Sequence, residues 1–322
     1  MRARPSTGSA TGVAALSGRG GWLAICALAA CTTRAGTPDR ELGALVESQQ
    51  VAPTPIDLAA AARSPDELGR ALAQPHTVAE AALGPHVTTI SALNRVSAEG
   101  GAVDELAVDT RLELGAGGSF HALSNNSADY GEEIIFLDGQ LYLRPRYARW
   151  HQRPPTDDRE PAALRTRVVG DLAATWELLA PGAALTDGGA TTVGGRPAHK
   201  VTIAPAATPR PNPPEPLRQR AWRATRVIEA VEGEVVLDDA SGVPLSASLR
   251  GRVGFGRDGR AYVMVLEVRH GVDGIGAAPT IAAPPADDVV ATPERSTEVD
   301  ERDDLLRGIA PPARAGAARG AP

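Results

Sequence analysis

The chain has 322 residues, a formal net charge of −6, a hydrophobic content of 43% and an aromatic content of only 3%. That length supports one large domain or two small ones, with a core built mainly from aliphatic side chains. The diffuse acidic balance argues against nucleic acid, whose phosphates need a basic patch. The two cysteines, Cys26 and Cys31, leave no disulfide framework, thiolate metal site or cysteine nucleophile in the rest of the chain.

Residues 1–30 have the layout of an export signal. Arg2, Arg4 and Arg19 lead without an acidic residue, and the apolar run 22–30 follows. That run is too short for the about 20 residues a membrane-spanning helix needs. It ends in Leu28-Ala29-Ala30-Cys31, which resembles the lipobox of bacterial lipoproteins. The resemblance implies cleavage before Cys31, acylation of its thiol and a membrane anchor of two or three acyl chains. The alternative is an ordinary secretory signal cut at Ala27-Leu28-Ala29. In the lipoprotein reading, Thr32 in place of an aspartate implies sorting to the outer membrane, facing the periplasm.

Residues 31–63 are small and polar with scattered prolines and read as a flexible tether. The domain proper is expected over 64–275. Ser64-Pro65-Asp66-Glu67 is a capping box with proline in the first turn, so a short helix should run to about Gln74. Thr77-Val78-Ala79-Glu80 repeats the signal, and Gly84 suits the end of a second helix. From about His86 the hydrophobic period moves toward two. In Val103–Leu114, Leu106, Val108, Leu112 and Leu114 share one face and charged residues the other, as in a strand with one wet side. Further strands are expected at 119–125, 132–137 and 140–144, the last two joined by Asp138-Gly139, a type I′ hairpin signal.

Leu164, Val168, Leu172, Trp176 and Leu179 recur at helical spacing between Pro161 and Pro181-Gly182, predicting one amphipathic helix. Strands resume at 191–203, with a Gly194-Gly195 turn. Residues 204–218 hold six prolines and exclude regular structure. A meander of three strands follows at 227–238, 244–255 and 261–272. Val227, Val231, Val235 and Leu237 are expected on one face of the first. Residues 276–322 turn Ala/Pro-rich and then acidic, and read as a disordered tail.

The sum is nine or ten antiparallel strands with a few helices, an α+β class dominated by antiparallel sheet. The helical lead-in, the meander, Val193-Gly194-Gly195-Arg196-Pro197 and the later Leu237-Asp238-Asp239-Ala240-Ser241-Gly242-Val243-Pro244-Leu245 resemble the LolA/LolB/LppX superfamily of envelope proteins. That resemblance implies a curved half-barrel sheet, helices on its concave side and a hydrophobic cavity for a lipid or lipoprotein acyl chain. On this reading the candidate ligand contacts are Trp176, Leu172, Val168, Phe136 and Trp150.

Catalytic signatures are missing. There is no Gly-x-Ser-x-Gly, Ser-x-x-Lys, P-loop or His-Glu-x-x-His, and the six histidines show no metal-ligand spacing. Glu132-Glu133 are adjacent on a strand, so they point to opposite faces and cannot act as a pair. Lys200 reads as a solvated strand residue, and Gly254 to Gly259 as a hairpin. Arg144, Arg146 and Arg149 with Tyr147 and Trp150 form the one distinctive surface candidate for an anionic headgroup or envelope partner. No enzyme activity, metal or cofactor is expected. A structural or interaction lipoprotein without a small-molecule ligand is the second reading.

Overall fold

The structure, a computed structural model, describes residues 55–291 except 99, 100, 102 and 216. The lipobox with Cys31, most of the tether and the chain beyond 291 lie outside the described residues.

Three short helices lead in. Residues assigned by composition to the tether form α1 (Leu58–Ala61), with Asp57 accepting the Ala60 N–H at 3.1 Å. The capping box starts α2 (Pro65–Leu72), where Ser64 Oγ accepts the Glu67 N–H at 3.4 Å. Helix α3 (His76–Leu83) begins one residue before Thr77, after an uncapped Pro75. Gly84 ends it at a φ of +66°, which suits a residue without Cβ.

Six strands then form a meander: β1 (His86–Ala98), β2 (Val103–Leu114), β3 (Phe120–Asn126), β4 (Gly131–Leu137), β5 (Gln140–Pro145) and β6 (Trp150–Arg153). After a helical stretch come β7 (Ala183–Val193), β8 (Arg196–Pro205), β9 (Val227–Asp238), β10 (Pro244–Arg257) and β11 (Arg260–Asp273), and last β12 (Val289–Ala291). The sheet order is β12-β6-β5-β4-β3-β2-β1-β11-β10-β9-β8-β7. Every neighbouring pair is antiparallel except β12 with β6. The edges β12 and β7 do not pair, so the twelve strands make one curved, unclosed half-barrel sheet with helices packed on it.

Two meanders are thus joined in the middle by β1 and β11, which pair over twelve residues from Val87↔Asp273 to Ala98↔Tyr262. The chain must cross from β6, near one edge, to β7, at the other. The helical stretch makes that crossing. It consists of two helices rather than the single helix expected: α4 (Glu160–Val168) and α5 (Asp171–Leu179), separated at Val169 and Gly170. The break lets the apolar stripe follow the sheet's curve. Leu164 and Val168 join Leu112, Leu114, Phe120, Ile134 and Leu141 in one cluster. Leu172, Trp176 and Leu179 join Ile90, Val201, Val235, Leu249, Leu266 and Val268 in another, together with Leu68 and Ala71 of α2. Helix α3 covers a third cluster, in which Leu83 packs with Val236, Leu245 and Val272.

Asp138-Gly139 turns with φ of +51° and +72°, and Asp258-Gly259 with +52° and +73°, both suited to type I′ hairpins. Other expectations need correction. Strand β7 starts at Ala183, eight residues early, because a register shift between Asp187 and Gly189 hides its alternation. Val227 does not share the face of Val231. A bulge at Glu229, opposite Arg252 and Val253 of the partner strand, turns Ile228 inward instead and leaves Val227 64% exposed. Residues 277–291, which composition assigned to the tail, form a strap. Ile281 and the Pro279 carbonyl lie against Gly115, and the strap then adds β12 beside β6.

Candidate functional site

The helix layer seals the part of the concave face beneath it. Leu172, Trp176 and Leu179 are at most 2% exposed. Trp176 is fixed by a hydrogen bond from its Nε1–H to the Pro65 carbonyl at 3.0 Å. Gly69 fits closely beside it, since a Cβ there would lie 3.3 Å from Trp176 Nε1.

On the outer side of this layer is a groove of about 770 Å³, bounded by α2, α5 and the Pro-rich segment around Arg210. Its walls are small: Gly69 and Ala73 from α2, Ala173, Ala174 and Ala180 from and after α5, and Pro181, Pro211 and Pro213. Trp176 borders its floor, almost wholly buried. The rim carries both signs. Arg210 Nη1 pairs with Asp66 Oδ1 at 2.8 Å, and its Nη2 donates to the Ala180 carbonyl at 3.0 Å. Glu177 accepts from Arg223 Nη1 at 2.7 Å, and Arg70 pairs with Glu67. A concave, mostly apolar groove with a few polar groups at its rim suits an apolar ligand. It contains no nucleophile beside a base and no converging carboxylates. Among the described residues no group of three His, Cys, Asp or Glu could hold a metal ion.

The five candidate contacts do not converge on one cavity. Trp176 lines the groove, and Leu172 lines a smaller pocket beside α3. Val168 and Phe136 pack together in the cluster beneath α4. Trp150 lies on the other face of the sheet: Leu143 opposes His151, so Trp150 shares a side with Arg144, whose guanidinium carbon sits 4.3 Å above its ring.

The arginine-rich surface is matched internally. Arg144 pairs with Glu133 at 2.6 Å and Asp288 at 3.5 Å, Arg146 with Asp129 at 3.2 Å, and Arg149 with Asp288 at 3.9 Å. Burial raises the Glu133 carboxyl's pKa, but hydrogen bonds from His121 and Arg144 outweigh it and hold the group below the usual range. Glu132 points the other way and takes a bidentate contact from Arg167 at 2.6 and 2.9 Å, as adjacent strand positions require. Lys200 is paired with Glu234.

Sequence reading missed one grouping. His76, His86 and His270 meet at one end of the helix layer, around a pocket of about 50 Å³. Their spacing carries no motif, because β1 and β11 come together only through long-range pairing. The available signal was parity: His86 lies on the same strand face as Ile90, and His270 on that of Val268.

No protein-family profile matches the chain, and no curated protein matches it. Solved structures do. LprF from Mycobacterium bovis is 13% identical over 70% of this chain and 100% of its own, with a TM-score of 0.28. The lipoprotein LppX of Mycobacterium tuberculosis is 12% identical over 68% and 100%, also at 0.28. A LolA superfamily protein from Nitrosomonas europaea is 9% identical over 66% and 96%, at 0.18. Scores this low establish no kinship, and the half-barrel assignment rests on the strand order above.

Proposed function

We propose that this chain is an exported, lipid-anchored protein of the bacterial envelope that holds an acyl chain without chemical conversion. The groove between α2, α5 and the Pro-rich segment carries this reading: its volume and apolar lining suit a chain of methylenes. Each square ångström of apolar surface removed from water there is worth about 25 cal/mol. Acylation of Cys31 supplies the anchor, on the lipobox-like Leu28-Ala29-Ala30-Cys31. Thr32 favours the outer membrane. The sealed concave face supports a second reading, a structural envelope lipoprotein that contacts other proteins and takes no ligand.

The test is native against denaturing mass spectrometry of the chain without residues 1–31, purified without detergent. A stoichiometric lipid is expected on the wild type. Ala73→Trp with Ala174→Trp should fill the groove from two exposed positions and cut lipid occupancy at least tenfold, with the far-ultraviolet circular dichroism unchanged. A clean apo mass that takes up no offered phospholipid leaves the structural reading. An acyl mass on Cys31 of the full chain, lost in Cys31→Ser, checks the anchor separately.

A further inference from the structure

Three histidines from distant parts of the chain border one small pocket. His76 opens α3, His86 opens β1 and His270 lies near the end of β11. His76 is 4% exposed and His86 is fully buried, whereas His270 is half-buried with its Nδ1 turned inside. The rings of His76 and His86 are 5.3 Å apart between centroids and tilted by 31°. His86 Nδ1 lies 2.7 Å from the Gly84 carbonyl, an acceptor, so Nδ1 carries the hydrogen. Its Nε2, both ring nitrogens of His76 and Nδ1 of His270 are buried without a protein partner. The pocket they border is otherwise largely apolar, with Leu72, Leu172, Val243 and Val272 on its walls.

The charged groups acting on the rings are Arg165 of α4 and Glu80 of α3. They are bound to each other at 2.6 Å, and Arg165 also donates to the Gly118 carbonyl at 3.2 Å. The rings therefore have no carboxylate of their own to stabilise an imidazolium. A proton on one ring would also repel a proton on the next. Helix α3 is held over this site by the His76 N–H donated to Thr166 Oγ1 at 3.0 Å, the Glu80–Arg165 pair and the Arg196 Nη2 donated to the Ala82 carbonyl at 3.5 Å.

We propose that His76, His86 and His270 form a proton-operated latch: neutral, they keep α3 seated on the sheet, and protonation releases α3 and opens the pocket beneath it. Burial drives His76 down to about 3 and His270 to about 4, and lowers His86 as well. A ring released to water returns to about 6.5. At about pH 5, each ring so released favours the open form by about 20-fold over neutral pH. The latch does not depend on the acyl-chain reading, since it concerns a different cavity and needs no ligand.

Amide hydrogen exchange on the full chain tests it, at about pH 7 and about pH 5 and corrected for intrinsic rates. The opening equilibrium of residues 76–83 should rise at least about 20-fold at the lower pH, while β9 and β10 keep their protection. His76→Gln with His270→Gln should reduce that rise to the part His86 alone contributes. If this variant does not fold, the wild-type histidine ring resonances decide: His76 and His270 should titrate well below 6. Equal protection of α3 at both pH values would overturn the latch, as would native titration near 6.5. Protection of α3 by one equivalent of Zn²⁺ in wild type, lost in the variant, would also overturn it by making the site a metal site.

Discussion

At the residue scale, the seating of α5 depends on a missing side chain. A Cβ on Gly251 would stand 2.2 Å from Leu179 Cδ2, and Leu179 is fully buried. Gly251→Ala should therefore destabilise the fold by about 1–3 kcal/mol, the usual cost of overpacking. Urea unfolding midpoints check this. A loss within about 0.5 kcal/mol, the range of a neutral surface change, would mean that the helix shifts freely on the sheet. The alternation of β10 places Gly251 on the inward face between Leu249 and Val253. A sequence reader sees an inward glycine there but not what presses against it, because Leu179 belongs to another element. Asp238 was similarly visible only as part of a hairpin. It is 1% exposed, and hydrogen bonds from Arg196 and Ser241 hold its carboxyl below the usual range although burial pushes it up.

At the element scale, the strands with clean alternation were legible, and those that break it were not. The expected meander 227–238, 244–255 and 261–272 matches β9, β10 and β11 to within two residues. Strands β6 and β12, of four and three residues, are too short for a period to show. The helix break at Gly170 was visible as a glycine within a periodic stripe, a known weak point, yet the stripe's spacing of four continues across it. The strap had the least signal, since its Ala/Pro composition is that of a linker. Its order comes from tertiary contacts: β12 places Val289 opposite Trp150, and Asp287 and Asp288 receive Arg149 and Arg144. Ending the chain after residue 275 should thus expose Trp150, which is 3% exposed in the intact domain, and shift its fluorescence to the red. Ending it after residue 291 should leave the spectrum unchanged. Identical spectra from the two truncations would show that the strap contributes nothing to the domain.

At the scale of the whole molecule, the pairing of β1 with β11 unites the two meanders and brings His86 and His270 to one site. Such contacts leave no trace in local periodicity, which is why the half-barrel was reached through resemblance and the histidine grouping was missed. They also fix how stability should vary with pH. A histidine lowered in the folded state binds its proton more readily when unfolded, so the unfolded chain takes up protons first as pH falls. The stabilisation from neutral His76, His86 and His270 is fully present above about 6.5 and declines below it, at up to about 1.4 kcal/mol per pH unit for each ring. The lowered carboxylates act in a separate window. Arg153 holds Glu160 at about 2, and Glu133 and Asp238 also lie below their ordinary values of 4.5 and 3.8, so their contributions fade only as pH falls below about 4.5. Between about pH 6.5 and 5 the three histidines lower the stability, while the Asp171 carboxyl, raised by burial, works against them. Urea titrations across that interval should show the free energy of unfolding falling steadily, with the slope against urea unchanged. His76→Gln with His270→Gln should reduce the slope there to what His86 alone contributes and leave the steeper loss below about pH 4.5. A wild-type curve already flat between about pH 6.5 and 5 would mean that the three rings reach water or a proton acceptor in the folded protein.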